Sequence, residues 1–396
     1  MIVSSDAGSV WAALSGTVDM AAARRDKGAL VAVQHYSARA ATLGELRVEQ
    51  SRTSYRVVPD STGGSTLALR SNTPVATAVV QHTRGIGRRV EWNVGATLAA
   101  TNGDQRLGPS TQLAWNASDK VRLSTSWART HQFAQSLRNA ESVVGNVFPV
   151  DIYMGAGAPG IPVARCQLGV LSASYHPRSG LRIGMQAYER RSDGLLLVAP
   201  REGEPFATHS FVVGSGTSRG VSADAALSSK RFGVVASYGL QHVRLAYGTS
   251  SYIPENGATH LAQCGVIAFP SPSASIRLGA TAAMGRRATT IANAFEWEAN
   301  NMVDRGSEFG GSPSYAGEAL GGTALPTYFR LDLGARKEWH IGVGGRDATI
   351  ALFGTATNIL GRKNILTYAK DVSSGQLTGV EMRPLAPLVV GLDWAF

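Results

Sequence analysis

The sequence predicts an all-β protein, an antiparallel transmembrane β-barrel of about sixteen strands running through residues 1–396. Three observations predict it. Apolar and polar residues alternate with period two in many segments, short and long connections alternate between those segments, and the last ten residues form an amphipathic strand that ends in Phe396.

Composition leaves room for this fold. Hydrophobic residues make up 44% of the chain and charged residues 17%, below the roughly 25% charged of an average soluble domain. No apolar run approaches the roughly 18 residues of a membrane-spanning helix. The mean hydropathy of −0.03 suits a soluble all-β protein and a membrane barrel equally, because only alternate residues of a barrel strand face lipid. The net charge of +10 would suit nucleic acid, an anionic membrane surface or an anionic solute. Basic runs stop at about three residues, so a nucleic-acid-binding arm is not expected. Cys166 and Cys264 have no CxxC partner, and free structural thiols are the expectation. The N-terminal MIVSSDAGSVWAALSG lacks a basic leader, carries Asp6 early and reads as no signal peptide, although an outer-membrane protein must be exported.

The strands follow in order. Val90, Trp92, Val94, Ala96 and Leu98 alternate with Glu91, Asn93, Gly95 and Thr97. Val121, Leu123, Thr125 and Trp127 alternate with Arg122, Ser124 and Ser126. Leu181, Ile183, Met185 and Ala187 alternate with Arg182, Gly184, Gln186 and Tyr188. The pattern returns at Ile276–Met284 and at Phe329–Arg336. A tilted strand of about ten residues crosses the hydrocarbon layer. Residues 21–25 (AlaAlaAlaArgArg) are the one helix-friendly patch, between two strand candidates. Short polar turns are expected at Thr83–Gly87, Asn116–Lys120, His176–Gly180, Ser228–Gly233 and Phe269–Ser275. Longer irregular segments are expected near 53–72, 131–162, 200–208, 249–257, 293–322 and 364–383. Sorting short turns to one end and long loops to the other is the habit of outer-membrane barrels. An even strand count puts both termini at the short-turn, periplasmic end.

At the end of the chain, Leu388, Val390, Leu392, Trp394 and Phe396 share one face, and Val389, Gly391, Asp393 and Ala395 share the other. The first row is expected to face lipid, with its aromatics at the interface. A terminal Phe after alternating apolar residues resembles the assembly signal read by the bacterial outer-membrane insertion machinery. The plain alternative is an edge strand that happens to end in Phe.

Residues 325–337 (LeuProThrTyrPheArgLeuAspLeuGlyAlaArgLys), then 352–364 (LeuPheGlyThrAlaThrAsnIleLeuGlyArgLysAsn), then the Phe-terminated strand resemble the end of TonB-dependent outer-membrane receptors. Residues 124–133, 188–197 and 218–223 fit earlier parts of the same barrels. The resemblance implies the C-terminal portion of a barrel that has 22 strands around a plug. No plug domain is recognisable, so the chain reads as a partial barrel, a fragment of the receptor or, less simply, a natural plugless barrel. The implied function is TonB-dependent uptake of a scarce solute, siderophore-like or another small ligand, in the bacterial outer membrane. This chain would supply the wall and the extracellular loops. The implied partners are outer-membrane lipid and lipopolysaccharide, the assembly machinery, and the TonB complex through a plug. A passive porin-like channel and a surface-exposed β adhesin are the alternatives.

No enzyme, cofactor or metal site is expected. Gly155, Gly157 and Gly160 match GxGxxG in a Pro-rich loop with no following helix to receive a phosphate. The eight histidines form no HxH or HExxH pair, and His131, His209 and His260 read as loop residues. The lumen is more informative. Arg122, Arg182, Arg190, Arg277, Arg330 and Arg336 fall on the inward phase, against the acids Glu91, Asp332 and Glu338. A cationic lumen would favour anionic solutes. The alternative is that these arginines pair with acids on neighbouring strands or with a plug.

Overall fold

The computed structural model describes residues 2–10, 18–37, 40–57, 67–101, 104–136, 153–156, 160–198, 211–254, 257–292, 320–343, 346–370, 374–382 and 387–395. The strands are β1 (Ile2–Val10), β2 (Val18–Ser37), β3 (Ala40–Val57), β4 (Leu67–Ile86), β5 (Val90–Thr101), β6 (Asp104–Asn116), β7 (Val121–Gln132), β8 (Ala134–Ser136), β9 (Tyr153–Gly155), β10 (Ala164–Arg178), β11 (Leu181–Val198) and β12 (Phe211–Ser228). They continue with β13 (Phe232–Tyr247), β14 (Ser250–Tyr252), β15 (His260–Ser271), β16 (Ala274–Met284), β17 (Arg287–Ala288), β18 (Ile291–Ala292), β19 (Thr323–Ala324), β20 (Tyr328–Val343), β21 (Arg346–Ala356), β22 (Asn364–Lys370), β23 (Leu377–Met382) and β24 (Leu388–Ala395). Among the described residues none is helical.

Seventeen strands form one antiparallel sheet: sixteen long ones and the three-residue β14. Each long strand pairs with the long strands next to it in sequence, from β1 to β24. The expected all-β barrel wall of about sixteen strands is therefore the fold found. One end of the sheet carries only connections of two to four residues, after β2, β4, β6, β10, β12, β15 and β20. Two of these turns share a device: the Ser118 hydroxyl accepts from the Lys120 and Val121 amides, and the Ser229 hydroxyl from those of Arg231 and Phe232. The other end carries the long connections, with the two-residue link between β5 and β6 as an exception. β1 starts and β24 finishes at the short-turn end, as the even strand count requires.

Two expectations are corrected. Residues 21–25, the helix-friendly patch, lie inside β2 rather than between two strands, their pairing with β3 outweighing the helix preference of alanine. Segment 364–383 is not irregular: it holds the hairpin β22–β23, which joins the short β18 in a small sheet. The strands also run past the predicted turns, so that β10 continues to Arg178 and β15 to Ser271.

The register gives every long strand two faces. Leu171, Met185, Val390 and Leu392 lie on the predicted lipid-facing phase, each 61–65% exposed. A face this apolar needs an apolar surrounding phase. The opposite phase is rich in small and polar residues, and a cavity of about 1260 Å³ opens on it between β10 and β21, which makes it the concave side.

The wall has almost no core of its own. Many of the buried residues lie at the long-connection end, among them Ala156, Ile161, Leu196 and Leu197 on one stretch and Ala288 and Leu325 on another. Gln135 is the staple there: its amide nitrogen donates to the carbonyls of Pro162 (3.0 Å) and Gly194 (2.8 Å), and its oxygen accepts from Leu196 N (2.8 Å). Arg286 donates to the Ile365 carbonyl at 3.0 Å, tying β22 to the connection after β16. The described parts of these connections thus form a canopy of hydrogen-bonded side chains at this end.

Candidate ligand pathway on the inner wall

All six lumen arginines lie on the concave phase, and the structure provides most of them with acids. Arg182 meets Asp224 of β12 at 2.6 Å, Arg330 meets Asp332 at 2.9 Å, and Arg336 meets both Glu338 and Asp393 at 2.8 Å. Arg122 lies 3.9 Å from Glu91. Asp224 and Asp393 complete pairs that alternation alone could not reveal, because the register between strands decides them.

Arg190 and Arg277 differ. Arg190 donates to the Cys166 sulfur at 3.2 Å, and Arg277 donates to the Thr355 hydroxyl at 3.0 Å. Among the described residues neither has a carboxylate within ion-pair distance. Their charge is not balanced by an acid among the described residues.

Two glycines make room for this charge. A Cβ on Gly334 would collide with the Arg277 side chain, and one on Gly184 with the Asp224 carboxylate. The charged groups therefore lie flat along the wall rather than projecting across the lumen. The cavity on this face is lined by Arg182, Arg277, Asp332, Thr355 and, at the end of β10, His176 and Arg178.

The motifs at 325–337 and 352–364 meet physically. Asn364 is 4% exposed; its side-chain oxygen accepts from Phe329 N and its nitrogen donates to Phe329 O, both at 2.9 Å. The amide thus imitates a neighbouring strand's backbone. Asp332 accepts from Asn358 N at 2.9 Å, and Asn358 holds the left-handed φ of 55° that turns the chain away. A carboxylate at 332 and amides at 358 and 364 are what this junction needs.

Other candidate residues separate. Leu388, Val390, Leu392 and Trp394 are 62–72% exposed on the convex side, while Phe396 lies outside the described residues. Cys166 and Cys264 are free thiols on opposite faces, Cys166 inward and Cys264 outward. Gly155 ends β9, Gly160 has φ of 79°, and Gly157 lies outside the described residues. His131 belongs to β7, and His260 opens β15 with its ring nitrogen 2.7 Å from the Tyr238 hydroxyl; His209 lies outside the described residues. Among the described residues no three His, Cys, Asp or Glu side chains gather as metal ligands would.

No protein-family model matches the chain, and no curated protein does. Solved structures are similar over nearly its whole length. The ferric yersiniabactin uptake receptor FyuA from Yersinia pestis is 10% identical with a TM-score of 0.58, covering 94% of this chain and 52% of that one. A mutant of the ferric enterobactin receptor PfeA from Pseudomonas aeruginosa, in complex with enterobactin, is 10% identical with a TM-score of 0.59, covering 95% and 56%. The copper transporter OprC is 11% identical with a TM-score of 0.59, covering 95% and 56%. The chain spans about half the length of these structures, 52–56%. At such identity the likeness shows the fold, the wall of a large antiparallel barrel.

Proposed function

We propose that this chain forms barrel wall and extracellular loops of a TonB-dependent outer-membrane receptor that takes up a scarce small ligand. The observation that carries the reading is the wall itself: an apolar convex face, a polar concave face and a canopy on one end, in a fold shared with two ferric-siderophore receptors and a copper transporter. Their cargoes suggest a metal ion or its chelate as the ligand class. The canopy end faces the outside, and the short-turn end faces the periplasm. Ligand arriving at the canopy passes along the concave face, where Arg190 and Arg277 attract negative charge while the paired arginines hold the wall in shape. The mouth between β10 and β21 receives the plug that the TonB complex remodels. The convex row of β24 serves as the assembly signal. The chemistry is transport, with no covalent step.

Two measurements test this. A strain lacking the gene should grow poorly when iron or copper is scarce, and its uptake of the labelled chelate should fall to the level of a TonB-deficient strain. Equal uptake in both backgrounds overturns the reading. In planar bilayers the full-length protein should show no steady open pore; a stable pore of fixed conductance favours a passive channel instead. Heat-modifiable gel mobility, expected here, would be absent for a soluble adhesin.

A further inference from the structure

The two ends of the barrel wall treat their cations differently. Toward the canopy several are matched: Arg106 with Asp104 at 2.7 Å, Arg165 with Asp193 at 2.6 Å, Arg191 with Glu189 at 2.7 Å and Lys363 with Glu381 at 3.1 Å. At the short-turn end four successive turns carry Arg88 and Arg89, then Lys120, then Arg178 at the close of β10, then Lys230 with Arg231, all exposed. Among the described residues none of these six has a carboxylate within ion-pair distance; Glu91 and Asp224, on the adjoining strands, face Arg122 and Arg182 instead. The one acid on the four turns is Asp119. Six cations against one acid amount to half of the chain's net charge of +10.

The rim that carries them is stitched from turn to turn. Asn116 N donates to Arg89 O at 2.8 Å, His176 N to Lys120 O at 2.8 Å, Ser228 N to Gly180 O at 2.7 Å and Phe269 N to Arg231 O at 2.8 Å. Each turn is thereby fixed to the next hairpin, and adjacent turns stand two strand spacings, roughly 10 Å, apart. The cations therefore sit on a preorganised shelf, and little backbone order has to be gained on contact. Turns of two to four residues cannot wrap a partner. They suit one that is itself extended and carries anions at many points, so that weak contacts add up. Lys120 and Arg178 also line the concave cavity, which the surrounding leaflet does not reach, so lipid headgroups cannot answer the whole row.

We propose that this basic rim docks peptidoglycan, the periplasmic polymer whose peptide side chains carry repeated free carboxylates. Successive turns each take a carboxylate from one strand of the polymer, and the interaction is electrostatic and polyvalent. The inference rests on the outer-membrane reading of the chain, with its short turns in the periplasm, and it adds a partner on that side.

The test sediments the full-length protein, held in phosphatidylcholine nanodiscs, with isolated peptidoglycan sacculi at low salt and measures the fraction brought down. Wild type should co-sediment, and should stay in solution with sacculi whose carboxylates have been amidated. The variant R88Q/R89Q/K120Q/R178Q/K230Q/R231Q should bind at least about tenfold less, each exposed pair adding roughly 1.5- to 5-fold. The charge-keeping variant R88K/R89K/R178K/R231K should retain most of the binding, and R129Q/R219Q/R244Q, on the convex face, should bind like wild type. Undiminished binding by the all-Gln rim variant, or equal binding to amidated sacculi, overturns the proposal while leaving the barrel intact. So does loss of binding once phosphatidylglycerol is added sparingly to the disc, which would assign the cations to the bilayer. Should the all-Gln variant fail to fold, K230Q/R231Q alone must still lose about twofold or more, and full binding there overturns the proposal equally. A wild-type chain that does not enter nanodiscs at all overturns the membrane reading together with this one.

Discussion

The two faces of the same strands use arginine in opposite ways. On the concave face Arg122, Arg182, Arg330 and Arg336 each lie within 4 Å of a carboxylate supplied by the wall. On the convex face, along β7 to β13, Arg165 and Arg191 are paired, while Arg129, Arg219 and Arg244 have no carboxylate within ion-pair distance among the described residues. Arginine inside therefore mostly organises the wall, while arginine outside is matched only in part by acids among the described residues. A count of charges per face would miss this, because the difference lies in where the acids are.

The sharpest way to break the comparison is through the two thiols. Cys264 on the convex face should react with a lipid-soluble maleimide and resist a water-soluble one in nanodiscs, while Cys166 on the concave face should show the reverse. An order of magnitude in labelling rate is expected, and equal rates would dissolve the inside–outside assignment. Next comes a charge on the wrong side. Met185→Arg, convex and 62% exposed, should lower stability in vesicles by about 2–4 kcal/mol, read by urea unfolding. Its neighbour Gln186→Arg, pointing inward, should stay within about 0.5 kcal/mol. Gln135→Ala would leave the buried Leu196 amide unsatisfied, with a loss of about 1–3 kcal/mol confined to the canopy and visible as faster hydrogen exchange there. Smallest is Arg182→Gln. With both partners about half exposed, its ion pair should contribute below about 1 kcal/mol, and the difference should shrink in high salt.

Much of this was legible in the sequence. Strand phase, the sorting of turns and the last strand follow from period-two alternation and turn chemistry, which are local properties. The ion pairs were not. Arg182 and Asp224 stand 42 positions apart, and only the register between β11 and β12 brings them together. The convex arginines were half visible: Arg129 follows Trp127 in phase, and Glu189 and Arg191 follow Ala187, yet their assembly across five strands needs four registers at once. Hairpin β22–β23 escaped because its backbone order depends on the neighbouring canopy, as Arg286 and Asn364 illustrate. The alanine-rich stretch in β2 misled because helix preference is a weak local bias against eighteen cross-strand pairings with β3.

The strictly sequential pairing of the long strands has a mechanical consequence. Among the described residues every long strand pairs with the long strands next to it in the chain, so tension applied at Ala395 meets β24 and its ladder to β21 first, then β21 and β20. An atomic-force tip drawing the chain out of a supported bilayer should therefore record a series of separate force peaks, unravelling the wall like knitting, one row after the next.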